Sequence, residues 1–386
     1  MRKTTISLTG LALVTAAVPS QARDRFVPAA PSAKDAPIAY LVDATSGQVL
    51  FAREEDRRFM PASITKVMTT FLAFEWMAEG RLFPQQVYAV RPATYAAWHR
   101  LGSTMFLPAD ARVSVEDLLH GVTTVSANDG AIVLAEGAAG SVQDWVAAMN
   151  AKARELGMGD THFGTPNGWI DEGKTFTSAR DLALLAQAMI ARHPSKYRHF
   201  IGAPGFEYNK IAQRNHDPIS GVVRGADGIK TGFTNQAGFG FLGSAARNGQ
   251  RLIMVVAASP KARDRDRAAR SFIEWGFSAF DSAPLFAKDA VVAVARVQDG
   301  ASATVELKGR GPIRIAVPHG RKPKIAITVR YEGPLRAPIR AGEEVAELVV
   351  EIEGMPQAHL PLVAGAAVGE ANAFQRLLNG VRRWLT

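Results

Sequence analysis

Ser63 and Lys66, in the run Ser63-Ile64-Thr65-Lys66, could carry nucleophilic chemistry. Residues three apart on a helix are neighbours, so the lysine amine can reach the serine hydroxyl. That hydroxyl is a poor nucleophile until a base takes its proton. An amine serves as the base only if burial and a second positive charge bring its pKa towards neutrality. The start of a helix also offers free N–H groups to a developing oxyanion. Taken alone the pair is weak, because Ser-x-x-Lys arises about once by chance in a chain of this size.

Two further runs supply what the first lacks. In Ser126-Ala127-Asn128 a hydroxyl and a carboxamide lie two residues apart on an expected loop. The hydroxyl could relay a proton and the amide could hold a substrate carbonyl. In Lys230-Thr231-Gly232 the lysine brings a second positive charge and the threonine a hydroxyl for a carboxylate. The glycine lets a substrate backbone lie close. The spacing places Lys230-Thr231-Gly232 just before a late strand pair.

The elements that must position these groups follow from periodicity. Residues 38–52 read as a hairpin around Thr45-Ser46-Gly47, and 237–245 with 251–258 as a second strand pair around Arg247-Asn248-Gly249. Helical patterns cover 63–78, 115–119, 128–139, 142–156 and 179–191, with another over about 266–280. Strands at both ends with helices between them predict one sheet assembled from distant parts. After Ser282 the chain becomes short Val- and Ile-rich runs separated by Gly, Pro and Asp turns, which predicts a small all-β domain over 283–365.

The two ends read differently again. Arg2 and Lys3 precede an apolar stretch over 6–18 and the small-residue site Ser20-Gln21-Ala22, which predicts an export signal over 1–22. Residues 23–37 then form a leader. Val368, Ala371, Phe374, Leu377, Leu378, Val381 and Leu385 recur at three- and four-residue spacing, with Gln375, Arg376, Asn379, Arg382 and Arg383 largely opposite. This predicts an amphipathic helix over 366–386, suited to lie on an anionic membrane surface.

Composition narrows the function classes. The 386-residue chain has no cysteine, which excludes a thiolate metal site and a cysteine nucleophile. Its formal net charge of +9 is spread among single basic residues, and no helix-turn-helix or RNP-like motif accompanies them, so no nucleic-acid partner is expected. The eight histidines show no His-Glu-x-x-His spacing and read as surface or structural.

The three runs occur in the order and spacing of the set found in serine β-lactamases and penicillin-binding proteins. The sequence closely resembles the low-molecular-mass penicillin-binding proteins that are D-alanyl-D-alanine carboxypeptidases, the S11 serine peptidase family. The resemblance spans about residues 38–385. It includes Ala39-Tyr40-Leu41-Val42-Asp43, Pro61-Ala62-Ser63, Ser126-Ala127-Asn128-Asp129 and Thr161-His162-Phe163. Pro166-Asn167-Gly168, Ser178-Ala179-Arg180-Asp181 and Asp227-Gly228-Ile229-Lys230-Thr231-Gly232 fit it as well.

The resemblance implies an α/β (α+β) fold of the β-lactamase and penicillin-binding-protein type over 38–282, followed by the all-β domain and the helix. It implies Ser63 as acylated nucleophile, Lys66 as its base and Ser126 as proton relay. Asn128 would hold Lys66 and the substrate amide. Lys230, Thr231 and Gly232 would receive the substrate's terminal carboxylate and backbone, with Arg214 and Arg265 nearby. The backbone N–H groups of Ser63 and Phe233 would form the oxyanion hole; relatives often carry His or Tyr where this chain has Phe233.

The implied substrate is a peptidoglycan pentapeptide ending in D-Ala-D-Ala, with β-lactams as covalent inhibitors and no metal or organic cofactor. The implied location is the periplasmic face of the bacterial inner membrane. No Glu-x-x-Leu-Asn lies between Ser126 and Lys230, which argues against a class A β-lactamase. A D,D-endopeptidase acting on cross-links, or a penicillin-binding scaffold of low turnover, would use the same groups.

Overall fold

The computed structural model describes residues 2–7 and 29–372. The chain divides into two units, one built from Pro28–Val42 with Phe51–Phe277, the other from Asp43–Leu50 with the segment from Ser278 onward.

Most of a five-stranded sheet lies in the first unit, its order Gln48–Arg53, Ile38–Asp43, Gln250–Ser259, Gly238–Arg247, Ala226–Thr234. Strands from the start of the unit thus pair with strands from its end, as their positions in the sequence predict. Ile38–Asp43 is buried at every position, which suits an uninterrupted apolar run covered on both faces. Ala226–Thr234 is the last strand, so one of its edges has no sheet partner among the described residues. Lys230, Thr231 and Gly232, expected just before the late strand pair, lie inside a strand of their own that pairs with the first member of it. Glycines at 228 and 232 and the buried Lys230 break the apolar alternation that would have marked a strand.

Helices fill the span between the sheet's two parts. Lys66–Ala78 is buried nearly all round, with Val67, Met68, Phe71, Leu72 and Phe74 in the core. A helix apolar on all sides belongs in the interior. Val115–Thr124, Val142–Glu155 and Ala179–Arg192 each start at a serine whose hydroxyl accepts a backbone N–H three residues on: Ser114 from Asp117, Ser141 from Asp144, Ser178 from Asp181. Such caps satisfy N–H groups that the first turn leaves unpaired. Asn128–Ala139 follows directly on the Ser126 turn, and Ala262–Ala279 ends the unit.

In the second unit a seven-stranded sheet runs Arg2–Ser7, Ile325–Gly333, Glu344–Ile352, Ala358–Ala364, Thr304–Lys308, Val291–Gln298, Leu335–Arg336. A separate pair joins Phe280–Phe286 to Ile313–Pro318. Leu307, Ile315, Val329, Leu348, Val350 and Leu362 are fully buried at its centre. Arg2–Ser7 belongs to the segment read above as an export signal. The strand Phe280–Phe286 straddles the expected boundary at 282/283, so the β-unit begins earlier, at Ser278.

The expected C-terminal helix also needs correction where it can be compared. Residues 366–372 are not helical. Val368 bridges to Ile339 and Glu370 to Gly300, while the Ala371 N–H donates to Asp299 O at 2.8 Å. Val368 and Ala371 are 4% exposed against the β-unit, so they belong to its core and not to an amphipathic face. The remainder of that helix, 373–386, lies outside the described residues.

Candidate active site

Pro61 leads into a 3₁₀ turn, Ala62–Thr65, which continues as the helix Lys66–Ala78. Ala62 has φ +49°, a left-handed conformation disfavoured for a residue with a Cβ. Such strain costs of order 1–3 kcal/mol and persists only where the surroundings fix it. The turn leaves Ser63 half-exposed while Lys66 is fully buried.

Lys66 Nζ lies 2.8 Å from three oxygens: Ser63 Oγ, Asn128 Oδ1 and the Asn167 carbonyl. Burial, then the charge of Lys230, holds the Lys66 amine well below its ordinary value, with Asp129 opposing. An ammonium could donate to all three oxygens, whereas a neutral amine has two N–H groups for the three contacts. The two carbonyl oxygens can only accept, so they take both N–H groups and leave the lone pair facing the Ser63 hydroxyl. The Asn128 amide is fixed at its other end by donating from Nδ2 to Leu101 O at 3.2 Å. Asp129 accepts the backbone N–H groups of Met105 and Leu107 at 3.0 and 3.2 Å, which ties down the segment ahead of Asn128.

Ser126 has φ +63° and is 6% exposed, and its Oγ has no hydrogen-bond partner among the described residues. A buried hydroxyl left unsatisfied, on strained backbone, is expensive to keep unless something else uses it.

Lys230 is also buried, donating to the Thr231 carbonyl at 3.1 Å. Burial, then the Arg265 guanidinium, lowers its pKa to about 7, with Asp217 opposing. Arg265 is held by the Gly240 carbonyl at 3.1 Å and by Asp266 at 2.6 Å. Gly232 brings the strand against the nucleophile turn: a Cβ there would stand 2.5 Å from Pro61 O and 3.3 Å from Ile64 N. Phe233 is 48% exposed and stacks on Phe239 with ring centroids 4.1 Å apart. Thr231 is half-buried.

Ser63, Lys66 and Asn128 are thus joined by direct contacts, and Gly232 lies against the turn that carries Ser63. Arg214 is different. It lies exposed on the hairpin Gly205–Tyr208/Ile211–Arg214, and among the described residues no hydrogen bond or ion pair links its side chain to Lys230 or Thr231. Three contributors were not picked out from the sequence as site residues: the Asn167 carbonyl, Asp129 and Asp217. Asn167 and Asp129 lie in runs that carry the family resemblance, but a backbone carbonyl leaves no side-chain signature.

Comparison with known proteins agrees with this constellation. Residues 25–260 match the family model described as D-alanyl-D-alanine carboxypeptidase, and residues 280–370 match the C-terminal domain of penicillin-binding protein 5. The chain belongs to the S11 peptidase family of D-alanyl-D-alanine carboxypeptidases. It is 32% identical to the D-alanyl-D-alanine carboxypeptidase DacA of Haemophilus influenzae, over 87% of this chain and 86% of that protein. It is 33% identical to DacD of Escherichia coli, over 87% and 88% respectively. Among solved structures, penicillin binding protein 5 from Haemophilus influenzae superposes with a TM-score of 0.74 at 31% identity, covering 89% of this chain and 100% of that one. The ampicillin-bound penicillin-binding protein D2 of Listeria monocytogenes gives 0.57 at 29% identity, covering 63% and 98%.

Proposed function

We propose that this protein removes the terminal D-alanine from peptidoglycan pentapeptides through an acyl-enzyme on Ser63. The observation that carries the reading is the placement of Lys66 Nζ, 2.8 Å from Ser63 Oγ with its two other contacts on carbonyl oxygens. The neutral amine takes the hydroxyl proton as Ser63 Oγ attacks the carbonyl between the last two D-alanines. The oxyanion is received by the Ser63 and Phe233 N–H groups. As the C–N bond breaks, the proton passes through Ser126 to the leaving amine, and free D-alanine departs. Water then attacks the ester, giving its proton to Lys66; collapse returns the hydroxyl to Ser63 and frees the tetrapeptide.

The substrate's extended backbone has a place along the free edge of Ala226–Thr234, where strand addition supplies main-chain hydrogen bonds. Its terminal carboxylate meets Lys230 and the Thr231 hydroxyl, with Arg265 adding positive potential. A β-lactam presents an amide carbonyl and a carboxylate in the same relation, so it acylates Ser63 as well. Removing the terminal D-alanine takes away the donor needed for cross-linking, which gives the reaction a role in shaping the cell wall.

The charged, apolar and small-residue succession over 1–22 supports export with cleavage after Ala22, and the apolar and Arg-bearing pattern over 373–386 supports peripheral attachment to an anionic inner-membrane surface. Among the described residues no helix is long and apolar enough to cross a membrane. Fractionation of cells expressing the full chain and a chain ending at 372 tests this: only the former should pellet with membranes.

The chemistry is tested with a fluorescent penicillin and intact-mass measurement. One adduct per chain is expected, mapped to the peptide containing Ser63 and absent in Ser63→Ala. An adduct of equal yield in Ser63→Ala would overturn the assignment.

A further inference from the structure

We propose that Glu116, His120 and His199 form a binding site for a divalent cation of the zinc type. Glu116 and His120 lie four residues apart on the helix Val115–Thr124 and so share one face. His199 reaches them from the helix Pro194–Phe200. Glu116 Oε1 stands 3.5 Å from His120 Nε2 and 2.5 Å from His199 Nε2, and one donor atom from each residue lies within 4.8 Å of the others.

A tetrahedral zinc with ligands at about 2.0–2.2 Å separates its donors by about 3.3–3.6 Å. The Glu116–His120 pair already has that spacing. The Glu116–His199 contact, a hydrogen bond in this structure, needs to open by about 1 Å as the cation replaces the shared proton. Two imidazoles and one carboxylate suit zinc, cobalt or nickel, whereas calcium and magnesium favour oxygen ligands alone.

The surroundings favour ligation over a plain ion pair. The His120 ring is flanked by Phe200, centroids 4.8 Å apart, and by Phe206, stacked at 6.2 Å. These rings restrict how far the imidazole can turn. Glu116 and His199 also line a cavity of about 510 Å³ together with Ser114, Lys196 and Phe200. Three protein ligands leave a fourth position, and the cavity gives it room for water or an anion, with the Lys196 ammonium close by. None of the three residues contacts Lys66 or Lys230. The helix that carries Glu116 and His120 ends at Thr124, just ahead of the Ser126 turn, so a cation here clamps that helix to Pro194–Phe200.

The test uses the untagged full chain, stripped with chelator, in equilibrium dialysis against zinc chloride with elemental analysis. Saturable binding of one zinc per chain is expected, weakened at least about tenfold in Glu116→Gln and in His120→Ala/His199→Ala. The penicillin acylation rate of both variants should stay at the wild-type value, which also reports that they are folded. Equal zinc affinity in wild type and variants would overturn the site. Should the variants fail to fold, cobalt(II) binding to the wild type decides. Intense visible bands of a four-coordinate ion support the proposal, and the weak spectrum of an octahedral aquo ion, or no saturable uptake, contradicts it.

Discussion

The Asn167 carbonyl lies 2.8 Å from Lys66 Nζ, although the two residues are 101 positions apart. The residue after it, Gly168, has φ +73° and sits so close to the nucleophile turn that a Cβ would stand 1.9 Å from the Ala62 carbonyl oxygen. The strained Ala62 and the glycine are therefore fitted against each other, and the lysine is held between Ser63 and the loop.

Gly168→Ala tests that fit. The added methyl must push Ala62 or the Asn167 carbonyl away, and a misplacement of about 1 Å near reacting groups can cost about a hundredfold in rate. The expected outcome is a second-order acylation rate with a fluorescent penicillin lowered at least that far, in a protein that still unfolds cooperatively. Unchanged acylation would show that the loop does not position Lys66.

The acylation rate should depend on pH through both lysines. Lys66 acts when neutral, so kcat/KM rises as pH climbs through its depressed pKa. Lys230 binds carboxylate when charged, so kcat/KM falls as pH passes about 7 in the free enzyme. A bell-shaped profile is expected with a carboxylate-bearing β-lactam, and loss of the alkaline limb with its methyl ester. A profile flat from about pH 5 to 9 would contradict both roles.

Lys230 also burdens stability. Its folded pKa, about 7, is below the unfolded value of 10.5, so the unfolded chain binds more protons between them and stability rises with pH over that window. Below about 7 the penalty is at its full size. Lys230→Met should therefore unfold at higher urea concentration than wild type at pH 6, the advantage shrinking between pH 7 and 10, while acylation falls. Equal midpoints at pH 6 would refute the buried-charge penalty.

Much of this arrangement is legible in the sequence because its cues are local. Ser63 and Lys66 are neighbours on one turn, apolar periodicity marks the helices, and the short Val- and Ile-rich runs mark the β-unit. What was missed depends on tertiary contact. The Lys230 strand lacks apolar alternation because its side chains serve the cleft. Val368 and Ala371 mimic helical spacing, yet their backbone groups pair with Ile339 and Asp299, far away in the chain. His199 comes to Glu116 only through the packing of two helices, so no spacing of histidines could reveal it.

Within the β-unit, Gln48 is 1% exposed and its side chain makes two hydrogen bonds with Ala316, Nε2 donating to the carbonyl at 3.0 Å and Oε1 accepting the N–H at 2.5 Å. Gln48→Ala strips both partners from a buried peptide unit, at a cost of about 1–3 kcal/mol for each group left unpaired. A urea midpoint lowered accordingly is expected, with penicillin acylation unaltered. An unchanged midpoint would mean that water replaces the glutamine.

The most direct test of the central reading is to incubate purified residues 23–386 with a peptidoglycan-type pentapeptide ending in D-Ala-D-Ala and follow the products by mass spectrometry. Loss of one alanine, together with free D-alanine, is expected for the wild type and should be absent in Ser63→Ala. A pentapeptide left intact by a chain that does form the penicillin adduct would contradict the carboxypeptidase assignment, and cleavage of cross-linked dimer peptides under the same conditions would replace it with the endopeptidase.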